Sequence, residues 1–400
     1  MISTFRMGWL LSYISIASFS AAIITPGLPQ IQMQFGLQAG EVEWIVSAFL
    51  LGYVIGQLVY GPVANRWGRL FALRLGLGIN LIGLLVCFLG LAVSGFWLIV
   101  LGRLISALGA ASGLACTYML INEWLPESQR ATAMAYSILS FTIGIGLAVA
   151  IGSFMTEYWQ WSFCLLVLLI HGIVMLLGTW MFHETLQIAK SINLATIAKS
   201  YLQALKSGKL IVFSLVIGFC SAVGYCFSAA APQIASDILH MRTVDYGYWN
   251  FLNMFGMLIG GLWAKILMNR FPAKQIIVLG LTGNIVGILS LAAMIYCSSF
   301  SAGWFFLSTM DFYIFSGLLF AAGSLVASNA INDKASGSAM MSFINMFSAT
   351  LAVIIMSGLN TNPLKAYVEI LTGMWLLVAG LLILQHYWSR IDNSAHANAI

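Results

Sequence analysis

The chain has 400 residues, of which 61% are hydrophobic and only 7% charged, with a formal net charge of +5. A soluble domain carries about a quarter charged residues, so this composition excludes a water-soluble globular protein. The positive excess calls for no nucleic acid, because anionic lipid head groups and the topology itself account for it.

Apolar runs able to cross a ~30 Å hydrocarbon core as helices of about 20 residues fall near 7–28, 43–60, 71–93, 96–122, 133–155, 161–181, 210–231, 246–268, 275–297, 303–328, 337–358 and 367–388. They predict an all-α integral membrane protein with twelve transmembrane helices. Solid runs rather than short alternating segments exclude a β-barrel. Arg6 precedes a run of full spanning length without a small-residue cleavage site, so helix 1 is expected to stay.

Lys and Arg set the orientation. With the N-terminus inside, Arg6, Arg66, Arg69, Arg74, Arg130, Lys190, Lys199, Lys206, Lys209, Lys265, Arg270, Lys274, Lys334 and Arg390 fall on the cytoplasmic side, and only Arg242 and Lys365 outside. That asymmetry predicts a bacterial inner-membrane protein with both termini cytoplasmic. The six cysteines, Cys87, Cys116, Cys164, Cys220, Cys226 and Cys297, fall within predicted helices without C-x-x-C spacing or histidine neighbours. They read as small buried apolar residues, with no metal and no cofactor expected.

Four units follow: a six-helix half over 1–181, a cytoplasmic linker over 182–209, a second half over 210–388 and a cytoplasmic tail over 389–400. In the linker, Leu194, Ile197, Tyr201 and Leu205 recur at helical spacing, with Lys199, Lys206 and Lys209 elsewhere on the turn. This fits an amphipathic helix on the inner leaflet, the alternative being a flexible connector.

The halves repeat. Residues 51–67 laid on 255–271 match Gly52 with Gly256, Ile55 with Ile259, Gly56 with Gly260, Leu58 with Leu262, Asn65 with Asn269 and Arg66 with Arg270. Upstream, Pro29-Gln30-Ile31 answers Pro232-Gln233-Ile234. Parallel repeats of six helices suit a transporter that holds a small molecule at the interface and rocks its halves about it. The Gly52/Gly56 and Gly256/Gly260 pairs read as close helix contacts rather than ligand sites.

The segment Gly61-Pro62-Val63-Ala64-Asn65-Arg66-Trp67-Gly68-Arg69 resembles the loop motif G-x-x-x-D-R-x-G-R of the major facilitator superfamily. The run from Phe49 to Arg69, with Arg103-Leu104-Ile105-Ser106-Ala107-Leu108-Gly109-Ala110, is similar to the bicyclomycin and chloramphenicol resistance branch of drug/proton antiporters. The resemblance implies two pseudo-symmetric six-helix halves, alternating access and a conformational-switch loop at Gly61, Asn65, Arg66, Gly68 and Arg69. This chain departs from the pattern in three places. Asn65 replaces the acidic residue that in the family helps hold the outward-facing lock. Val149 stands where helix 5 of antiporters carries proline. Ala22 stands where the branch often has an aspartate, so helix 1 has no acid and antiport does not simply carry over.

Charge inside the bilayer is costly and marks pathways or paired groups. Arg103 in helix 4 and Asp311 in helix 10 are the two such residues, and a shift of 208 residues lays one on the other and Gly109 on Gly317. They are expected to face each other or a shared substrate. For Arg103 a structural bond to neighbouring backbone stands as the alternative, and for Asp311 a packing role. Ser106 and Thr117 share a face with Arg103, and Phe315 shares one with Asp311. Tyr225 and Tyr313 offer aromatic contacts, and His171 titrates near neutrality unless it only bonds a neighbouring helix.

Neither a nucleotide-binding loop nor a nucleophile–base motif occurs, so neither an enzyme nor an ATP-driven pump is expected. The leading reading is proton-linked efflux of a drug-like molecule or metabolite by a monomer. The alternative is import or facilitated passage of a carboxylate-rich solute such as a siderophore or nutrient. A non-transporting sensor stands third.

Overall fold

The computed structural model describes residues 4–38, 40–125, 127–186, 194–331, 334–359 and 362–397, and among these every regular element is a helix. Lys190 lies outside the described residues, as do the side chains of Arg130, Lys334, Arg390 and Leu194. The helices are α1 (Thr4–Ser12), α2 (Ser15–Ala22), α3 (Leu28–Phe35), α4 (Trp44–Trp67), α5 (Arg69–Ala92), α6 (Phe96–Trp124), α7 (Glu127–Tyr158) and α8 (Phe163–Gly178) in the first half. After α9 (Leu194–Ala204) come α10 (Gly208–Gln233), α11 (Thr243–Trp249), α12 (Phe251–Met268), α13 (Ala273–Tyr296), α14 (Ala302–Ser328), α15 (Lys334–Gly358) and α16 (Pro363–Ala397). Among the described residues, ten helical segments are long and apolar enough to cross a bilayer, and the bent α1–α3 unit makes an eleventh. The twelfth is α7, whose described part, Thr142–Tyr158, is apolar. An even number of spans puts both termini and α9 at one face, called the terminal face below, and the turns before α4, α6, α8, α11, α14 and α16 at the far face.

Helix 1 departs from the expected single rod. It bends by 51° between Phe5–Ser12 and Ser15–Phe35. The cause is local: Ser12 Oγ donates to the Trp9 carbonyl and Ser15 Oγ to the Ser12 carbonyl, competing with the helix ladder. A second interruption follows at Thr25–Gly27, where Pro26 and Pro29 lack N–H donors. The span then runs on to Phe35, where Gly36 takes a φ of 61° and ends it.

The expected loop at 61–68 is also corrected. Residues 61–67 are helical despite Pro62, and the connection shrinks to Gly68, with φ 114°. Gly68 N–H and the Arg69 guanidinium both donate to the Ala64 carbonyl, 3.1 and 2.9 Å, which satisfies the end of α4 without a loop. Cys297 is the third correction: it lies just past α13 and is exposed, while the other five cysteines are buried. Within the linker, α9 presents Ile197, Tyr201 and Ala204 inward against α15, and Leu205 lies beyond its end, exposed.

Glycine contacts hold the spans together, as expected where lipid removes the hydrophobic drive between helices. Gly76, Gly83 and Gly90 of α5 meet α6 at heptad spacing, and Gly102 and Gly109 of α6 answer at the same spacing. Between them Asn80 donates its amide to the Ser106 carbonyl and hydroxyl, at 2.9 and 2.8 Å.

The repeat has a structural counterpart. Gly52 and Gly56 rest on the Leu104 and Leu108 carbonyls of α6, and Gly256 and Gly260 on the Met310 and Ile314 carbonyls of α14. Leu104 therefore corresponds to Met310 and Leu108 to Ile314, a shift of 206 residues rather than 208. Gly109 faces α5 whereas Gly317 faces Gly260 of α12, so the sequence match of those two glycines joined different helix faces. In this register Arg103 corresponds to Thr309, not to Asp311.

Candidate functional site

Arg103 is wholly buried on α6. Its Nη2 donates to the Ser20 carbonyl at 2.8 Å and Nη1 to the Ser20 hydroxyl at 3.2 Å. The guanidinium lies over Phe49 of α4, 4.3 Å from the ring centroid. Ser20 is near the end of α2, where carbonyls lose their helical donors. Thr25 Oγ1 serves the Ala22 carbonyl in the same way, at 2.9 Å. Arg103 therefore stitches the interrupted first span to α4 and α6. The repeat-related position in the second half carries a neutral version: Thr309 Oγ1 donates to Asn253 Oδ1 at 2.8 Å, and Asn253 donates to Asn250 Oδ1 at 3.1 Å.

The other expected residues scatter. Asp311 is half-buried against Gly287 of α13, and its Oδ2 has no hydrogen-bond partner among the described residues. Arg103 contacts Ser20 and Phe49 of the first half, and Asp311 contacts Gly287 of the second. Ser106 is engaged by Asn80, and Thr117 is buried on α6. Phe315 packs against Gly283 of α13 and Trp263 of α12. His171 lies against Phe19, ring centroids 4.8 Å apart. Tyr313 alone of this set lines the cavity between the halves, with Tyr225 close to it and to Tyr53.

The cavity is narrow, and the roughly 350 Å³ of space between its walls includes volume open to solvent. Thr142, Ile145 and Val149 of α7 form the first half's wall, and Phe227, Ser228, Tyr246, Asn250, Asn253, Met254, Met257 and Tyr313 the second half's. None of these lining side chains carries a charge. Phe227 is the hub, with Tyr246 and Tyr313 at 6.5 and 6.0 Å between centroids and Phe305, Phe306 and Tyr367 behind it. Asn250 and Asn253 were not singled out from the sequence. Two amides inside one apolar run were the available signal, since buried polar groups in a span must find partners.

At the far face the halves bond to each other. Arg242 Nε meets Glu157 Oε1 at 3.1 Å, and Thr243 N–H donates to Glu157 Oε2 at 3.1 Å. Gln233 donates to Gln32 Oε1 at 2.9 Å, and Ser357 Oγ lies 2.6 Å from Glu43 Oε2. The Pro-Gln repeats border this closure: Pro26, Pro29, Gln30 and Pro232 line, with Tyr246, a cleft open to solvent.

At the terminal face the switch segment is tied to α6 of the first half and to the start of the linker. Arg69 forms a two-pronged contact with Glu123 Oε1, at 2.9 and 2.7 Å, and Thr185 Oγ1 bonds Glu123 Oε2. Glu184 receives the N–H groups of Arg69, Leu70 and Phe71 at the start of α5, at 2.8, 3.0 and 3.4 Å. Partial burial raises its pKa, but the backbone N–H groups of Arg69, Leu186, Thr185 and Leu70 outweigh that and hold it below the ordinary carboxylate value. A side chain at Gly68 would strike the Glu184 carboxylate. Asn65 and Gly61 are half-buried, and Arg66 is exposed.

The family model of the Major Facilitator Superfamily matches residues 10–388. An uncharacterized transporter of Rickettsia felis is 24% identical over 279 residues, covering 68% of this chain and 67% of that protein. The multidrug transporter MdfA of Yersinia pestis bv. Antiqua (strain Angola) is 24% identical over 340 residues, covering 83% and 81%. Among solved structures, a D-xylose–proton symporter superposes with a TM-score of 0.76 at 15% identity, covering 94% of this chain and 97% of that one. The POT family transporter PepTSo does so with 0.76 at 10% identity, covering 98% and 99%. Two repeat-related bundles meet around one interfacial cavity and the family match spans nearly the whole chain, so this protein belongs to the Major Facilitator Superfamily of membrane transporters.

Proposed function

We propose that the protein exports a small, neutral, amphipathic organic molecule across the bacterial inner membrane by alternating access, driven by proton flow. The observation that carries this reading is the cavity shared by α7 of one half and α10, α11, α12 and α14 of the other, lined by aromatic, methionine and amide groups and no charge. Aromatic faces and flexible thioethers accept varied apolar shapes, and Asn250, Asn253 and Ser228 can orient a carbonyl or hydroxyl. Similarity to a multidrug transporter supports the drug-like substrate class, and the sequence resemblance to the bicyclomycin and chloramphenicol resistance branch points the same way. The carboxylate-rich alternative gains no support from this lining, since Arg103 is not among the lining residues and its Nη1 and Nη2 bond Ser20.

The moving units are the halves over 1–181 and 210–388, joined by the 182–209 linker and followed by the 389–400 tail, in a monomer whose terminal face is cytoplasmic. Arg103 positions the broken first span rather than meeting substrate. Asp311, a half-buried acid on α14, carries the coupled proton. The test uses everted membrane vesicles, an imposed proton gradient and radiolabelled chloramphenicol, a neutral amphipathic amide. Energy-dependent uptake that an uncoupler abolishes, and that Asn253→Ala or Tyr313→Ala weakens, is the expected result. Uptake only into right-side-out vesicles would make the protein an importer.

A further inference from the structure

The far-face closure contains two carboxylates of opposite character. Glu157 is ion-paired to Arg242 at 3.1 Å and accepts the Thr243 N–H. Glu43 lies in the turn ahead of α4, 5% exposed, between the halves. Its polar partner is Ser357 Oγ of α15, and that hydroxyl also lies 2.9 Å from the Val353 carbonyl. A hydroxyl has one proton to give. As donor to Glu43 it serves the carboxylate; when it donates to Val353 instead, the bond to Glu43 requires the carboxylic acid as donor.

The groups facing Glu43 offer no countercharge. On α15 the group is the Ser357 hydroxyl, which also reaches the Val353 carbonyl, and on α10 it is the thiol of Cys226. Glu41 in the same turn bonds Gln38 N–H at 2.7 Å. Among the described residues no cation pairs with Glu43: Arg242 is held by Glu157, and Lys365 stands 3.8 Å from Glu369. The turn approaches α15 closely, because Gly40, with φ 85°, rests on the Ser357 carbonyl where no side chain would fit. Burial pushes the Glu43 carboxyl above its ordinary value.

We propose that Glu43 is a proton-binding latch: a proton on its carboxyl holds the α4–α15 contact closed at the far face, and loss of that proton frees the two halves to part there. This rests on the alternating-access reading above. The sign follows from linkage. The closed state binds the proton more tightly than an open state in which Glu43 meets water, so closure is favoured in acid. As pH rises from the ordinary carboxylate value to the raised one, the closed-to-open ratio falls by up to about tenfold per pH unit. Glu43 and Asp311 then have separate duties, Glu43 reading the proton concentration at the far face and Asp311 carrying the proton that moves.

Spin labels on the exposed Cys297, at the end of α13, and on Val93→Cys, at the end of α5, report the far-face separation in detergent or nanodiscs from pH 4.5 to 8.5. The wild-type latch is expected to lose its closed population as pH rises. Glu43→Gln, a neutral isostere, is expected to stay closed with a flat profile, and Glu43→Asp to keep a pH response with a moved midpoint. The latch is overturned if Glu43→Gln follows the wild-type profile, or if the wild-type distribution ignores pH. Gly247→Trp, wedged against Ser153 of α7, separates the two failures. If it widens the distance while pH does nothing, the latch alone falls; if it too leaves the distance unchanged, alternating access falls with it.

Discussion

Replacing Arg103 distinguishes a positioning role from substrate contact. In Arg103→Ala the Ser20 carbonyl and hydroxyl lose their donors and Phe49 loses the cation above it. Hydrogen bonds to a charged group are worth about 1.5–3 kcal/mol each, and a desolvated cation–π contact about 2 kcal/mol. Against these stands the cost of holding an uncompensated cation away from water, which the substitution relieves. The helix-end carbonyl left unpaired and the vacated volume tip the balance, so Arg103→Ala is expected to lower unfolding free energy by ~2–4 kcal/mol. Arg103→Met fills the volume without the charge and is expected to cost about half as much, and Arg103→Lys keeps the charge but not the planar fork and should fall between. Chemical denaturation in detergent, followed by tryptophan fluorescence, ranks the three beside chloramphenicol binding. If Arg103→Ala leaves stability untouched while binding falls tenfold or more, the guanidinium meets substrate and the positioning role is wrong.

Further outcomes are expected. Asp311→Asn should abolish accumulation driven by a pH gradient while leaving counterflow largely intact; full gradient-driven accumulation would remove Asp311 as the carrier. Asn65→Asp should restore the family's charge and shift labels on the two halves toward the outward-facing distribution, by severalfold for a contact of ~0.3–1 kcal/mol. Glu184→Gln should cost about 1 kcal/mol at neutral pH, the backbone bonds being discounted for solvent exposure. Because Glu184 is held below the ordinary value, that contribution is present above it and fades as pH falls through the lowered pKa, which denaturation at pH 7 and pH 3 would show. In a Cys297→Ser background, Ser200→Cys should label only from the cytoplasm and Asn362→Cys only from outside; reversal of either would overturn the orientation.

The spans were legible because long apolar runs have one solution in lipid, and the glycine repeat was legible because close helix contact demands it at fixed spacing. The interruptions of helix 1 were harder to see. Ser12 and Ser15 are ordinary inside an apolar run, and only the bonds they make to backbone turn them into a bend. The helical course of residues 61–67 was hidden because a proline and a charged motif look like a loop, while the Arg69 donor that satisfies Ala64 comes from the following helix. The 208-residue shift joined two glycines that face different partners, a distinction no one-dimensional match contains. Among the candidate residues, Tyr313 reaches the cavity, but its walls also come from Phe227, Tyr246, Asn250 and Asn253, which only the meeting of α10, α11, α12 and α14 with α7 assembles.

The corrected register carries a consequence for how the two halves divide their work. At one repeat position the first half holds Arg103 over Phe49, and the second holds Thr309 bonded to Asn253. The first arrangement is a buried cation tied to backbone, costly to move because any shift strips its donors of partners. The second is a neutral amide network open to the cavity, where a substrate carbonyl or hydroxyl can exchange for an internal partner at little cost. On the proposed function, recognition would fall mainly to the second half, and rigidity of the broken first span to the first. A substitution that opens the Asn250–Asn253–Thr309 chain, such as Thr309→Val, should change substrate selectivity with little loss of stability, whereas loss of Arg103 should do the reverse. The two effects are expected to add, since these clusters share no partner; strong coupling between them would mean that both halves hold the substrate together.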